Sequence, residues 1–143
     1  MRTLVLLADS AQADQAGKAH ALGLGWSVTT TPSLPMALVI LIEIDWTEAN
    51  QKHHITAELV DADGHSFMVV GPTGELTPIR FDADFEVGRP PGLPHGSPLA
   101  MPLAVNIGGG LPLLPEQRYR WKVTNTGQPG ADLGASFSVA APQ

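Results

Sequence analysis

Apolar and polar side chains alternate with a period of two along much of this chain. In Arg118–Val123, Tyr119, Trp121 and Val123 fall on one side and Arg118, Arg120 and Lys122 on the other. Ile79, Phe81, Ala83, Phe85 and Val87 alternate in the same way with Arg80, Asp82, Asp84 and Glu86. Period two marks an extended strand with one buried face. A one-residue slip in the second stretch would bury all four of its charges, so its facing is fixed.

Other segments fit the same scheme. Residues 3–8 predict a first strand. Residues 9–17 predict either a short helical turn or a loop. In 18–30, Leu22, Leu24, Trp26 and Val28 share one face, with small residues on the other. Residues 37–45 are apolar on both faces for most of their length, as a central strand requires. His53–Val60 turns Ile55, Ala57 and Leu59 inward. Asp61-Ala62-Asp63-Gly64 predicts a hairpin turn, with Ser66–Val70 returning as the partner strand. Leu99–Ile107 is a further strand, and Pro102 within it favours an edge position. A last strand brings Ala135, Phe137 and Val139 inward. The total is about eight or nine strands with at most one short helix. The expected fold is all-β: a single antiparallel β-sandwich domain over residues 1–143, immunoglobulin-like or of related Greek-key topology.

Two resemblances bear on that expectation. Leu113-x-Pro115-x-x-x-Tyr119 resembles the tyrosine corner that leads into a late strand of immunoglobulin-like and fibronectin-type-III sandwiches. Ala8-Asp9-Ser10-Ala11, Gly17-Lys18 and Leu22-Gly23-Leu24-Gly25-Trp26, with Pro32 and Pro35 before the apolar strand, resemble an uncharacterised family of small bacterial proteins. The Asp-x-Asp-Gly hairpin, Pro90-Pro91-Gly92 and the late Leu-Pro…Tyr strand extend that resemblance over most of the chain. It implies a β-sandwich and no activity.

Composition narrows the partners. The chain has 143 residues, 43% of them hydrophobic. Charged residues are 15%, below the common level of about 25%. Net charge is −6, and only 8 Lys and Arg are spread along the sequence. Nucleic acid and anionic membrane surfaces, which need clustered cations, are therefore not expected partners. With no Cys there are no disulfides or thiolate sites, which fits a reducing cytoplasm. Asp9 interrupts the apolar start, so Met1–Ala8 reads as a strand and not as a signal peptide. The longest apolar run, Met36–Ile42, falls short of the ~20 residues of a membrane helix.

Candidate chemistry is sparse. His53 and His54 are adjacent and point to opposite faces of a strand, but either can approach His65 across the Asp61–Gly64 turn. Asp61-Ala62-Asp63-Gly64 faintly resembles a calcium loop without its further ligands, so turn chemistry is the preferred reading. Asp82 and Asp84 read as a solvated strand face, paired with Arg118, Arg120 and Lys122 if the strands are neighbours. Gly108-Gly109-Gly110 lacks the Lys-Ser/Thr of a phosphate loop. Trp26 and Trp121 read as core. Trp46 follows the central strand and is a candidate contact residue. No metal, cofactor or catalytic residue is expected. The leading expectation is a non-catalytic cytoplasmic module that binds a protein partner or itself through an edge strand. A small-molecule or carbohydrate binder using Trp46 and the Gly88–Pro98 loop is the alternative. A metal-dependent enzyme around His53, His54 and His65 is the third reading.

Overall fold

The chain folds as an all-β protein, and the computed structural model describes residues 1–142. In order, the strands are Arg2–Ala8 (β1), Ser10–Ala13 (β2), Ala19–Leu22 (β3), Val28–Thr29 (β4), Met36–Ile44 (β5), His53–Asp61 (β6), Met68–Val70 (β7), Leu76–Pro78 (β8), Arg80–Phe85 (β9), Leu99–Ile107 (β10), Arg118–Asn125 (β11) and Leu133–Val139 (β12). The one helical feature among the described residues is a 3-10 turn at Trp46–Glu48, where Asp45 and Glu48 form a capping box.

Two sheets carry the fold. The first, sheet I, has the order β1-β5-β10, and all its neighbours are antiparallel. The second, sheet II, has the order β4-β12-β11-β6-β9 and is antiparallel except where β4 runs parallel to β12. Two hairpins, β2-β3 and β7-β8, stand apart from these sheets.

The alternating segments place their apolar faces as expected. Val5 and Leu7 of β1, Met36 to Ile44 in steps of two along β5, Ile55, Ala57 and Leu59 of β6, Tyr119, Trp121 and Val123 of β11, and Phe137 and Val139 of β12 form one buried cluster. Both sheets therefore face the same core, with Trp121 fully buried within it. The 37–45 segment is apolar on both sides because β5 is the central strand of sheet I. Its opposite face carries Ala37 and Val39, which pack with Ala8 beneath Ala11 and Ala19 of the β2-β3 hairpin. Asn106 fastens that hairpin. The Ala11 N–H donates to Asn106 Oδ1 at 3.1 Å, and Asn106 Nδ2 donates to the Ala11 carbonyl at 2.8 Å.

Tyr119 performs the structural task that its spacing suggested. Its buried ring stacks on Phe137 at 5.9 Å and meets Phe67 edge-on at 5.6 Å. Its hydroxyl oxygen accepts the Leu114 N–H at 3.0 Å, which ties the loop to the start of β11. Pro102 lies on β10, which ends sheet I, as a residue without an N–H favours.

Three expectations are corrected. The strand expected over 18–30 is broken into β3 and β4, and Leu22, Leu24 and Val28 are exposed; only Trp26 packs inward, edge-on to Phe137 at 5.5 Å. Gly23 and Gly25 have φ of +64° and +91°, which turns the chain there. A Cβ on Gly23 would sit 2.1 Å from Oδ2 of the exposed Asp9, so a side chain there would displace that carboxylate as well as strain the backbone. Second, Ser66–Val70 does not return along β6. Beyond a single bridge between Val60 and Ser66, β7 pairs with β8. Third, residues 9–17 are not a helical turn or a plain loop: Ser10–Ala13 is strand β2, paired with β3. Asp82 and Asp84 do not neighbour Arg118, Arg120 and Lys122, because β6 lies between β9 and β11, so the condition for their pairing is not met.

Tyr119→Phe keeps the buried ring but removes the acceptor for the Leu114 N–H. We expect a loss of about 1–3 kcal/mol in urea-unfolding stability, the cost of an orphaned backbone donor. An unchanged unfolding midpoint would show that the tie contributes nothing.

Candidate functional site

The outer face of sheet II is polar, and its densest cluster forms because the β6-β9 register sets His54 opposite Asp84 and Thr56 opposite Asp82. His54 lies between the two carboxylates. Nδ1 is 2.7 Å from Asp84 Oδ1, and Nε2 is 2.9 Å from Asp82 Oδ1. Asp82 also accepts from Thr56 Oγ1 at 2.8 Å and from Arg80 Nε at 3.1 Å. Hydrogen bonds to Asp84 and then Asp82 raise the His54 pKa above its ordinary 6.5. Arg80, His54 and Thr56 hold Asp82 well below the usual carboxylate range, Arg80 contributing most. Both ring nitrogens lie within hydrogen-bond distance of a carboxylate, an arrangement that favours the protonated ring.

His53 points the other way, into the end of the core. Its ring lies 5.3 Å from Phe85, and its buried Nε2 has no hydrogen-bond partner among the described residues. His65 lies beyond the far end of β6, about 23 Å from His54 at ~3.3 Å per residue. The structure therefore does not bring His53, His54 and His65 together at one site. Antiparallel pairing places residues at opposite ends of a long strand far apart, whatever their hairpin neighbours.

Asp61, Asp63 and His65 do converge, with side-chain ligand atoms within 4.8 Å of one another. The bonds there belong to the turn. Asp61 Oδ1 accepts the N–H groups of Asp63 and His65, both at 2.9 Å, and Gly64 at φ +83° closes the turn.

Trp46 and the Gly88–Pro98 loop do meet, as the binding alternative supposed. The Arg89 guanidinium lies 4.9 Å over the indole and donates through Nη2 to the Trp46 carbonyl at 2.8 Å. The His95 ring is 5.2 Å away. Arg89 and His95 thus occupy the ring surroundings that a sugar would need. Neither residue was singled out in the sequence, although both lie in the loop that was.

An open apolar groove lies elsewhere, on the outer face of sheet I. The β2-β3 hairpin covers only the half of this face around Ala37 and Val39. On the other half Leu4 stands opposite Leu41, and Leu41 opposite Pro102. Leu4 is 53% exposed and Leu41 36%. A groove of about 680 Å³ runs here, bounded by Gly17 of the hairpin turn and by Leu99 and Ala100 of β10. At its rim Arg2 makes a two-pronged bond to Glu43, 2.9 Å to each oxygen. The alternation in 3–8 and the doubly apolar run of 37–45 contained these residues. What the sequence did not give was that the covering hairpin stops halfway.

The raised His54 pKa sets the sign of a pH effect. Native protein binds the proton more tightly than unfolded chain, so the stabilisation is complete below pH 6.5 and fades as pH rises through the higher folded value. We expect the His54 ring resonances to titrate with a midpoint above 6.5. In His54→Gln the fall in stability between about pH 6 and about pH 9 should shrink. A midpoint at or below the ordinary value would refute the clamp.

Among the described residues no helix is long and apolar enough to cross a membrane. No curated protein and no solved structure matches the chain. Residues 3–134 match a family described as Family of unknown function (DUF6941), in keeping with the uncharacterised family that the motifs resembled. That match takes in most of the chain, and the protein belongs to this family, DUF6941.

Proposed function

We propose that the chain is a non-catalytic interaction module, built as an immunoglobulin-like sandwich, that pairs with a second copy of itself across the uncovered half of sheet I. The orders β1-β5-β10 and β12-β11-β6-β9 support the topology, as do β4 running parallel to β12 and the Tyr119–Leu114 tie. A cytoplasmic location, expected from the cysteine-free sequence, belongs to the same reading.

The exposed Leu4–Leu41 pair beside the groove carries the functional proposal. The neighbouring half of the same sheet face is buried beneath a hairpin of the chain's own making. Contiguous exposed apolar surface rimmed by polar groups marks an association site. A second copy suits it because the rim is self-complementary. A two-fold axis over the groove brings this patch against itself, laying Leu4 and Leu41 of one copy on those of the other with an Arg2–Glu43 pair of each at the margin. Pro102 removes a backbone donor from the β10 edge, which favours contact through the face over extension of the ladder. The non-catalytic part of the reading rests on the His54 cluster, whose donors and acceptors are spent on one another.

Sedimentation equilibrium tests this. We expect dimer in the micromolar range for the native chain and monomer for Leu4→Glu combined with Leu41→Glu, with far-ultraviolet circular dichroism unchanged. A native chain that remains monomeric at about 100 µM, where a Kd of 1 µM would leave little monomer, sinks the proposal.

A further inference from the structure

The two sheets end on one side in strands that have no outer neighbour, β9 in sheet II and β10 in sheet I. Between them lies a slit of about 210 Å³. Its floor reaches the core residues Ile40 and Ile55; Phe81 and Ala83 form one wall, Leu103 and Val105 the other. These four wall residues lie on the inward faces of their strands, yet all are only half-buried. Their counterparts on β5, β6 and β11 are buried. The core is thus complete through the middle of the molecule and open along this side.

The rim of the slit is electrically one-sided. β10 carries no charged residue, whereas Asp82, Asp84 and the following Glu86 outnumber Arg80 along β9. These carboxylates lie on the outer face of sheet II, where residues of a strand added to β9 would form cross-strand pairs with them. β9 has no proline between Arg80 and Phe85, so its outward backbone groups are all available, unlike those of β10.

We infer that β9 accepts an extended segment of a partner protein as a sixth strand of sheet II, and that this segment alternates apolar residues with Lys or Arg. Its apolar side chains enter the slit against Leu103 and Val105. Its cations face Glu86 and the Asp84 oxygen that His54 does not hold. Backbone pairing supplies affinity, and the alternate side chains supply selection. This edge lies apart from the Leu4–Leu41 face, so the inference stands independently of self-association.

The probe is a blocked seven-residue peptide alternating lysine and valine, titrated into isotope-labelled native protein at low salt. A peptide alternating glutamate and valine is the control. We expect saturable amide shifts in Arg80–Phe85 and Leu103–Val105, and binding of the control at least about tenfold weaker. Asp84→Lys combined with Glu86→Lys reverses the rim without touching the slit, and should weaken the lysine peptide by about tenfold or more. Val105→Arg should abolish its binding. Absence of saturable binding, equal binding of both peptides, or shifts confined to the face around Leu4 and Leu41 would overturn the inference. Sedimentation of the same samples reads self-association separately, so one result does not stand in for the other.

Discussion

The organising constraint of this molecule is that β5 must lose water on both sides. Met36, Leu38, Ile40, Ile42 and Ile44 meet sheet II in the shared core. Ala37 and Val39 need a second cover, which the β2-β3 hairpin supplies. The hairpin is short, and its cover ends before Leu41. The doubly covered centre and the apolar groove beside Leu41 thus follow from one strand: the first is where β5 is covered twice, the second where it is covered once.

The two sheets manage their outer faces differently. Sheet II presents interlocked charges, with His54, Asp82, Asp84 and Arg80 satisfying one another beside solvent. Individual pairs of this exposed kind contribute little to stability. Their larger effect is to keep that face wet and to fix the side on which any neighbour of β9 finds negative charge. Sheet I presents leucine, alanine and proline on its uncovered half, with a single ion pair at the margin.

Where two-residue alternation is strict and charges occupy one side, as in 79–87 and 118–123, facing could be read directly, and the structure agrees. The 37–45 segment was legible as a central strand because it is apolar on both faces. Alternation misled at Leu22–Val28, because glycines with positive φ turn the chain without disturbing the hydropathy pattern. It also misled at Ser66–Val70, which beyond one bridge to Val60 pairs with the segment that follows it, β8, and not with the one that precedes it. The His54 clamp was hidden for a related reason. Each of its members lay on a correctly read strand, but their meeting depends on β6 standing between β9 and β11, an order no single strand encodes.

The chain order of sheet I has a consequence during synthesis. β5 leaves the ribosome with only β1 available beside it, while β10 does not begin until Leu99. At about 5–20 residues per second, the stretch Met36–Ile42 waits several seconds for its second neighbour. That stretch is apolar, uncharged and free of proline, the composition from which fibrillar stacking starts. That interval is when this stretch is most in need of cover.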